Sequence, residues 1–297
     1  MATHSWLHRL HTASTRHRTR YSGRKAPPRA QPRLQVLEDR VLPSTVTWTN
    51  PNGGDWDTAS NWSTGAVPGA ADYVVINLSG ITITHSAAVA DAINSLNSEA
   101  NISISGGSLA MASTSTITGG LSISGGTLTG AGNLTVDGAF TWTGGTQSTP
   151  GLTVQGNAAI GGGTLDGTHL VTAGTNNTWT GTVHAGDGAI WEVPQSATLT
   201  AAQWGGNDTL ANDLGNGVAT LNNSGTITSQ VASGNGTIIV TAFQNYGTVT
   251  VASGDFALGG GGTLNAGSSI TGADGSASGT SAAAGRSRPR RASRAMW

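Results

Sequence analysis

The chain of 297 residues contains no cysteine, and its long central part contains neither lysine nor arginine. All 14 basic residues lie outside residues 41–285, nine of them before that stretch and five after it. Without cysteine, disulfide bonds and thiolate metal sites are excluded. Without cations, the central part cannot neutralise phosphate groups, so we expect no nucleic-acid partner there. An arginine clamp for carboxylates and Schiff-base chemistry by lysine are excluded for the same reason.

The sequence also lacks any apolar run long enough to cross a bilayer, so we expect no transmembrane helix. Large apolar residues are sparse, whereas Gly (45 in the chain), Thr, Ser, Asn and Ala are abundant. One interpretation is disorder, because a weakly hydrophobic chain with an uncompensated charge of −13 over residues 41–285 has little with which to form a packed core. The other is a repetitive fold, in which each turn buries only a thin apolar stripe. The regular spacing of the apolar residues favours the repetitive fold.

Glycine-containing phrases recur in the first half of the central part. The first is Ser105-Gly106-Gly107-Ser108-Leu109, and its second glycine aligns with others at an almost constant interval, at Gly107, Gly126, Gly145 and Gly163. Glycine pairs permit positive φ and therefore predict corners, while short apolar–polar alternations near each phrase predict strands with one buried face. Three leucines after these corners are predicted to stack on the inner face: Leu109, Leu128 and Leu165.

A second set of phrases follows further along the chain. Asn223-Ser224-Gly225-Thr226-Ile227 and Asn245-Tyr246-Gly247-Thr248-Val249 are separated by a slightly longer interval, and Gly262-Thr263-Leu264 follows after a shorter one. A period near 20 indicates a solenoid, and this length and composition fit neither leucine-rich nor helical repeats. We therefore predict an all-β, right-handed parallel β-helix over residues 46–275, with about 18–22 residues per coil. About eleven coils would give a rod roughly 50 Å long.

A basic leader, residues 1–45, precedes this body. It has no strand periodicity and no apolar signal-peptide core, so we predict that it is disordered; its Arg- and Ser-rich composition is also that of an organellar transit peptide. Its end resembles an N-terminal motif of the LEPR/LEDR type, which opens many exported, repeat-rich bacterial surface proteins. The residues that carry the resemblance are Leu37, Glu38, Asp39, Arg40, Leu42, Pro43 and Ser44. The resemblance implies export to the cell surface or the extracellular space.

The C-terminal segment, residues 276–297, changes abruptly to an Arg-, Ala- and Pro-rich composition. We predict a disordered basic tail. Two further interpretations remain: a surface-binding tail, since a basic segment attracts acidic surfaces, and a frameshifted or truncated end of a longer repeat array.

A tryptophan-rich segment opens the body. Trp48, Trp56 and Trp62 are followed by Pro68 and Asp72 in an order that resembles the start of β-helical adhesins and autotransporter-like passenger proteins. The resemblance implies that residues 46–80 begin the β-helix and cap it. An alternative is a sugar-binding platform, because the CH groups of a sugar stack on indole faces. Burial is the more usual state of tryptophan, and it is what we predict here.

Three aspartates are calcium candidates. Asp55 and Asp57 lie on the same side of an extended segment, although acids in such positions commonly serve turns. Asp208 belongs to a Gly-Gly-Asn-Asp phrase that resembles part of the calcium-binding nonapeptide of RTX proteins. That site needs consecutive stacked copies, and the chain offers one partial copy. We therefore predict no metal and no cofactor.

No catalytic residue is predicted either. His85, His169 and His184 have no metal-ligand spacing in the sequence, and no nucleophile elbow or phosphate-binding loop occurs. Two acid pairs, Asp187 with Glu192 and Asp208 with Asp213, are candidates for a glycosidase, but no motif selects them.

The functional prediction follows from the fold and the resemblances together. We predict a non-enzymatic, exported cell-surface protein whose β-helix is a stalk or an adhesin-like passenger, with surface glycans or the extracellular matrix as partners. The alternatives are a glycan-active β-helix enzyme of the glycosidase type and a calcium-stabilised repeat protein.

Overall fold

The computed structural model describes residues 43–215 and 217–272, which form a parallel β-helix. In a complete coil the chain passes through sheet 1, sheet 2 and sheet 3 in turn, and successive coils stack along the rod. Most of the predicted leader lies outside the described residues, and so does the tail 276–297. Of the predicted export motif, Leu37, Glu38, Asp39, Arg40 and Leu42 lie outside them.

The three sheets contain eleven, eleven and nine strands. The strands of sheet 1 are Thr45–Thr47, Tyr73–Ile76, Ser95–Ser98, Ser115–Ile117, Leu134–Val136, Gly151–Val154, His169–Thr172, Ile190–Val193, Thr220–Asn223, Ala242–Asn245 and Gly262–Leu264. Those of sheet 2 are Gly54–Asp55, Thr82–His85, Asn101–Ile104, Leu121–Ile123, Phe140–Trp142, Ala158–Ile160, Asn177–Trp179, Thr198–Ala201, Thr226–Gln230, Thr248–Ser253 and Ser269–Gly272. Those of sheet 3 are Ala90–Ile93, Ser108–Met111, Thr127–Thr129, Thr146–Ser148, Gly163–Asp166, Thr182–Gly186, Asp208–Leu214, Gly236–Ile239 and Asp255–Leu258.

Helical structure is confined to one 3-10 turn, Ala59–Asn61, in the described part of the chain, so the all-β prediction is confirmed. Eleven stacked strands are separated by ten intervals, and the chain therefore makes about ten turns, close to the eleven coils predicted. At about 4.8 Å between strands, the rod is roughly 48 Å long. Within residues 43–215 and 217–272, no helix has the length and apolar character needed to cross a membrane.

Successive coils stack in register. Leu121 in sheet 2 pairs with Ile102 and with Phe140, each 19 positions away (121 − 102 and 140 − 121). Because side chains alternate between the two faces of a strand, this register keeps apolar residues inside and hydroxyl residues outside from one coil to the next. On the outer face of sheet 1, for example, Thr135 lies between Thr116 and Thr153.

The predicted leucine column lies on the inner face of sheet 3. Leu128 pairs with Leu109 on one side and with Gln147 on the other, and Gln147 pairs in turn with Leu165. All four side chains are buried. The polar member, Gln147, donates its amide N–H to the hydroxyl of Thr149.

The glycine phrases form the corner between sheet 2 and sheet 3. Gly107, Gly126 and Gly145 each precede a strand of sheet 3, and the aligned Gly163 begins one. Gly126 has φ 64°, and a Cβ there would lie 2.6 Å from the carbonyl oxygen of Gly106 in the preceding coil. Only glycine therefore lets consecutive corners approach this closely.

The strand register corrects the predicted alignment of the third phrase in the second set, Gly262-Thr263-Leu264. Thr226 and Ile227 pair with Thr248 and Val249 in sheet 2, so the first two phrases of the second set are equivalent. Residues 262–264 instead pair with residues 243–245 in sheet 1. The third phrase therefore lies on another side of the rod, which explains why it follows the second phrase after a shorter interval.

We expect Leu128→Asp to unfold or strongly destabilise the rod. A carboxylate at this position would be buried between Leu109 and the amide of Gln147, with no cation to pair with it, at a cost of several kcal/mol. Thermal unfolding followed by circular dichroism measures the effect. Thr129→Asp, one position along on the partly exposed face, is the matched control and should change the melting temperature little. Equal melting temperatures for wild type and Leu128→Asp would contradict the inward position of this column.

Candidate functional site

Three tryptophans close the N-terminal end of the core. Trp48, Trp56 and Trp62 are buried, and the ring centroid of Trp62 lies 4.8 Å from the centroids of both others. The indole N–H of Trp62 donates to the carbonyl of Trp56 at 2.7 Å. The first coil has no strand of sheet 3. Instead, residues 56–72 connect its sheet 2 strand to the sheet 1 strand of the second coil. The faces of these tryptophans are occupied by packing and are not free to stack on a sugar.

The end of this cap is fixed to the first strand by Asp72. Its carboxylate accepts the hydroxyl hydrogen of Ser44 at 2.6 Å and the N–H of Gly69 at 2.8 Å. Burial raises the pKa of Asp72, but these hydrogen bonds outweigh it and hold the pKa below its usual value. Pro68, which precedes Gly69 in the chain, is also buried. Ser44, the last residue of the segment that resembles an export motif, is thus part of the folded body.

Beneath the cap, Asp57, His85 and Asp91 bring one ligand atom each to within 4.8 Å of one another. Asp57 belongs to the cap, His85 ends a strand of sheet 2, and Asp91 lies in the first strand of sheet 3. In the next coil, His85 pairs with Ile104 and Asp91 pairs with Leu109, both buried apolar residues. His85 and Asp91 therefore occupy, at the N-terminal end of the rod, positions that hold buried apolar residues in the next coil.

The imidazole of His85 is held in one orientation. Its side chain is fully buried, with Nδ1 3.0 Å from the carbonyl oxygen of Gly106 and Nε2 2.9 Å from Oδ2 of Asp91. A carbonyl oxygen only accepts, so Nδ1 carries a proton and Nε2 faces the carboxylates. A Cβ on Gly107 would lie 2.9 Å from Cε1 of His85, so this corner glycine leaves room for the ring.

The carboxyl group of Asp57 is in an unfavourable place for a negative charge. Burial, contact with Asp91 and the charge of Asp55 raise its pKa to about 6, while His85 partly offsets them. Its Oδ2 is buried and reaches no N–H or O–H donor among the described residues. Its polar neighbour is the carboxyl of Asp91, and the two share a hydrogen bond only when one of them is protonated.

The other two calcium candidates have different surroundings. Asp55 is a turn acid, with Oδ1 2.7 Å from the N–H of Asp57. Asp208 is fully buried, and its two carboxylate oxygens accept the N–H groups of Gly181 at 2.8 Å and Gln203 at 3.2 Å. Burial raises the pKa of Asp208 more than these backbone bonds lower it. Both of its carboxylate oxygens are thus engaged by backbone N–H groups.

Two histidine–acid pairs lie on the outside of the rod. Nε2 of His169 is 2.8 Å from Glu192, and Nδ1 of His184 is 2.7 Å from Asp213. All four side chains are substantially exposed, so each pair contributes little to stability.

The geometry argues against one candidate pair of glycosidase acids. Asp208 is buried, Asp213 is exposed, and the two lie near opposite ends of one long strand. The intervening strand spans roughly 16 Å, which exceeds the separation of either glycosidase mechanism. In the second candidate pair, Glu192 is engaged by His169, while Asp187 contacts Asp166.

Trp204 differs from all other tryptophans of the described residues. It is 86% exposed, whereas Trp142, Trp179 and Trp191 are buried in the core. It lies in residues 202–207, which connect sheet 2 to sheet 3 in an enlarged coil. One coil earlier, Thr180 and Gly181 alone make the same connection. The indole is thus presented to solvent on an insertion.

Sequence reasoning found Asp57 but missed His85 and Asp91 as its neighbours. Their separations from Asp57 along the chain match no local metal motif, because they cross from the first coil to the second. One feature of the sequence could have indicated the cluster: His85 and Asp91 stand at repeat positions that Ile104 and Leu109 occupy in the next coil.

The contact between Asp166 and Asp187 gives a pH prediction. Burial and this contact raise the pKa of Asp166 above 3.8, so the folded state binds the proton more tightly than the unfolded state. This contribution to stability is complete below pH 3.8 and is lost as the pH rises through the raised pKa. We expect Asp166→Asn to raise the melting temperature by roughly 2 °C at pH 7 and to change it less at pH 4. Asp137→Asn is the control, and a gain that is independent of pH would contradict the like-charge contact.

Comparison with known proteins adds no relative to these observations. No family model, curated protein or solved structure matches the chain.

Proposed function

We propose that this chain is a non-enzymatic cell-surface protein, exported from a bacterium, whose β-helix is an adhesive stalk. The observation that carries the proposal is the solenoid of 31 short strands in the described residues, whose outer face is rich in hydroxyl and amide side chains and carries acids but no lysine or arginine. A rod of this kind holds a binding group at a distance from its attachment point, and its backbone pairing along the whole length resists proteases. The resemblance of residues 37–44 to an export motif supports the location.

The outer face supports contact with neutral partners. Its side chains are largely Thr, Ser and Asn, as in the column of Thr116, Thr135 and Thr153, and residues 41–285 contain no cation. Hydroxyl and amide groups match the hydroxyl groups of glycans, whereas a nucleic acid or an acidic polysaccharide would require lysine or arginine. Surface glycans and the uncharged parts of an extracellular matrix are therefore the proposed partners.

Trp204 is the proposed contact residue for a glycan. An exposed indole presents a flat apolar face with a polar N–H at its edge, and sugar rings offer CH groups to such a face. Among the large exposed apolar side chains of the described residues, Trp204 is the most exposed and has the largest ring system; the others are two smaller tyrosine rings and three valines. These five are Tyr73, Val89, Val218, Val240 and Tyr246.

Export can be tested on intact cells of the source organism. We expect an antibody raised against residues 46–272 to label intact cells, and replacement of both Leu37 and Arg40 by alanine to abolish that labelling. Permeabilised cells are the control, since they show that the variant is still made. Labelling that requires permeabilisation of wild-type cells would contradict export.

The adhesive role can be tested with a glycan array. We expect Trp204→Ala to lower the affinity for any bound glycan by about 10-fold, because removal of a tryptophan that anchors a contact costs on the order of 1–2 kcal/mol. The melting temperature should not change, since this side chain contacts solvent. Tyr246→Ala, which removes another exposed aromatic ring, is the matched control. Equal binding by wild type and Trp204→Ala would exclude Trp204 as the contact.

A further inference from the structure

We propose that Asp57, His85 and Asp91 form a divalent-metal site that takes zinc or a similar first-row ion and fastens the tryptophan cap to the rod. The site is independent of the proposed adhesive function. Its three ligands come from the cap, from sheet 2 and from sheet 3. A single ion there would connect all three elements at one point.

The distances suit one small ion. The three ligand atoms lie within 4.8 Å of one another, and Nε2 of His85 is 2.9 Å from Oδ2 of Asp91. Ligand bonds of about 2.0–2.1 Å in tetrahedral geometry place neighbouring ligand atoms roughly 3.3 Å apart. Small side-chain rotations would bring the cluster to that spacing, with water in the remaining position.

The surroundings of His85 are those of a metal ligand. Its Nδ1–H is directed at the carbonyl oxygen of Gly106, which leaves the lone pair of the neutral ring on Nε2, facing both carboxylates. A histidine that binds a metal commonly donates its other N–H to a carbonyl in this way, because that bond fixes the ring and its tautomer. The ring is fully buried, so its orientation is also fixed by packing.

The charge of the cluster calls for a cation. Two carboxylates meet at the top of an apolar core, and Oδ2 of Asp57 is buried without a donor in the described part of the chain. No lysine or arginine occurs anywhere from residue 41 to residue 285, so no side chain of the body supplies a permanent positive charge. A divalent ion would neutralise both carboxylates. It would be coordinated by their oxygen lone pairs and by the lone pair on Nε2 of His85.

The donor set selects the ion. Calcium takes oxygen ligands, about six to eight of them, whereas imidazole is a ligand for zinc and its first-row neighbours. One imidazole nitrogen and two carboxylate oxygens therefore indicate zinc rather than calcium. Asp57 remains a metal-ligand candidate, but with His85 and Asp91 as partners in place of Asp55.

The experiment uses the full chain, stripped of metal with a chelator and dialysed. We expect stoichiometric Zn²⁺ to raise the melting temperature by about 5 °C or more at concentrations well above the dissociation constant, and Ca²⁺ to have no such effect. Co²⁺ should give the visible absorption of a tetrahedral site. Asp91→Asn should weaken binding more than about 100-fold and remove the Zn²⁺-dependent shift, while Asp55→Asn, the neighbouring acid outside the cluster, should retain both signals.

The leader contains four histidines, His4, His8, His11 and His17, which could bind Zn²⁺ themselves. Thermal shift and Co²⁺ absorption that are the same in wild type and Asp91→Asn would assign the ion to such residues and overturn the proposal. Absence of any saturable Zn²⁺ effect on wild type would overturn it as well, and would leave a plain imidazolium–carboxylate pair. If Asp91→Asn does not fold, as judged by circular dichroism, the partly exposed Asp57→Asn gives the same comparison.

Discussion

In-register pairing between successive coils is the constraint that the other features of this rod depend on. Each short strand is too small to be stable alone, and its backbone groups find partners only in the coils above and below. Register also decides what a polar residue costs inside the core. Asn223 and Asn245 pair in sheet 1, and the amide N–H of Asn223 donates to Oδ1 of Asn245 at 2.7 Å. A buried amide is tolerated because the stacking supplies an amide one coil away.

The absence of cations from the body determines how its acids are accommodated. All three histidines of residues 41–285 pair with acids: His85 with Asp91, His169 with Glu192, and His184 with Asp213. Other acids depend on backbone N–H groups, as Asp208 does. The two exposed histidine pairs need no further compensation, since water solvates them. In the cluster of His85, the imidazole is fully buried and Oδ2 of Asp57 is buried without a donor, and that difference is why the metal proposal concerns this cluster alone.

The sequence was sufficient for the fold because period, strand alternation and corner glycines all depend on local spacing. It was insufficient where a position is defined by the neighbouring coil. The repeat predicts Gly163 as a corner glycine, but the structure shows a further reason why only glycine fits there. The indole of Trp142 occupies the space where a Cβ of residue 163 would lie. Gln147 follows a glycine phrase like the leucines, but only the register shows that it belongs to their column. The cluster that joins the cap to sheets 2 and 3 was missed for the same reason.

The enlarged coil shows where such a rod can acquire function without losing stability. Trp191 pairs with Leu221, which is 30 positions further along the chain (221 − 191), and this interval is clearly longer than those between the regular coils. Pairing continues through all three sheets, because the additional residues leave the rod at its corners, as residues 202–207 do with Trp204. The cost to the ladder is small: the pairing of Thr182–Gly186 with Asp208–Leu214 shifts register once, between Ala185 and Gly186, and is otherwise kept. Corners are therefore the places where this architecture accepts new contact residues, and the faces of the sheets are the places where it does not.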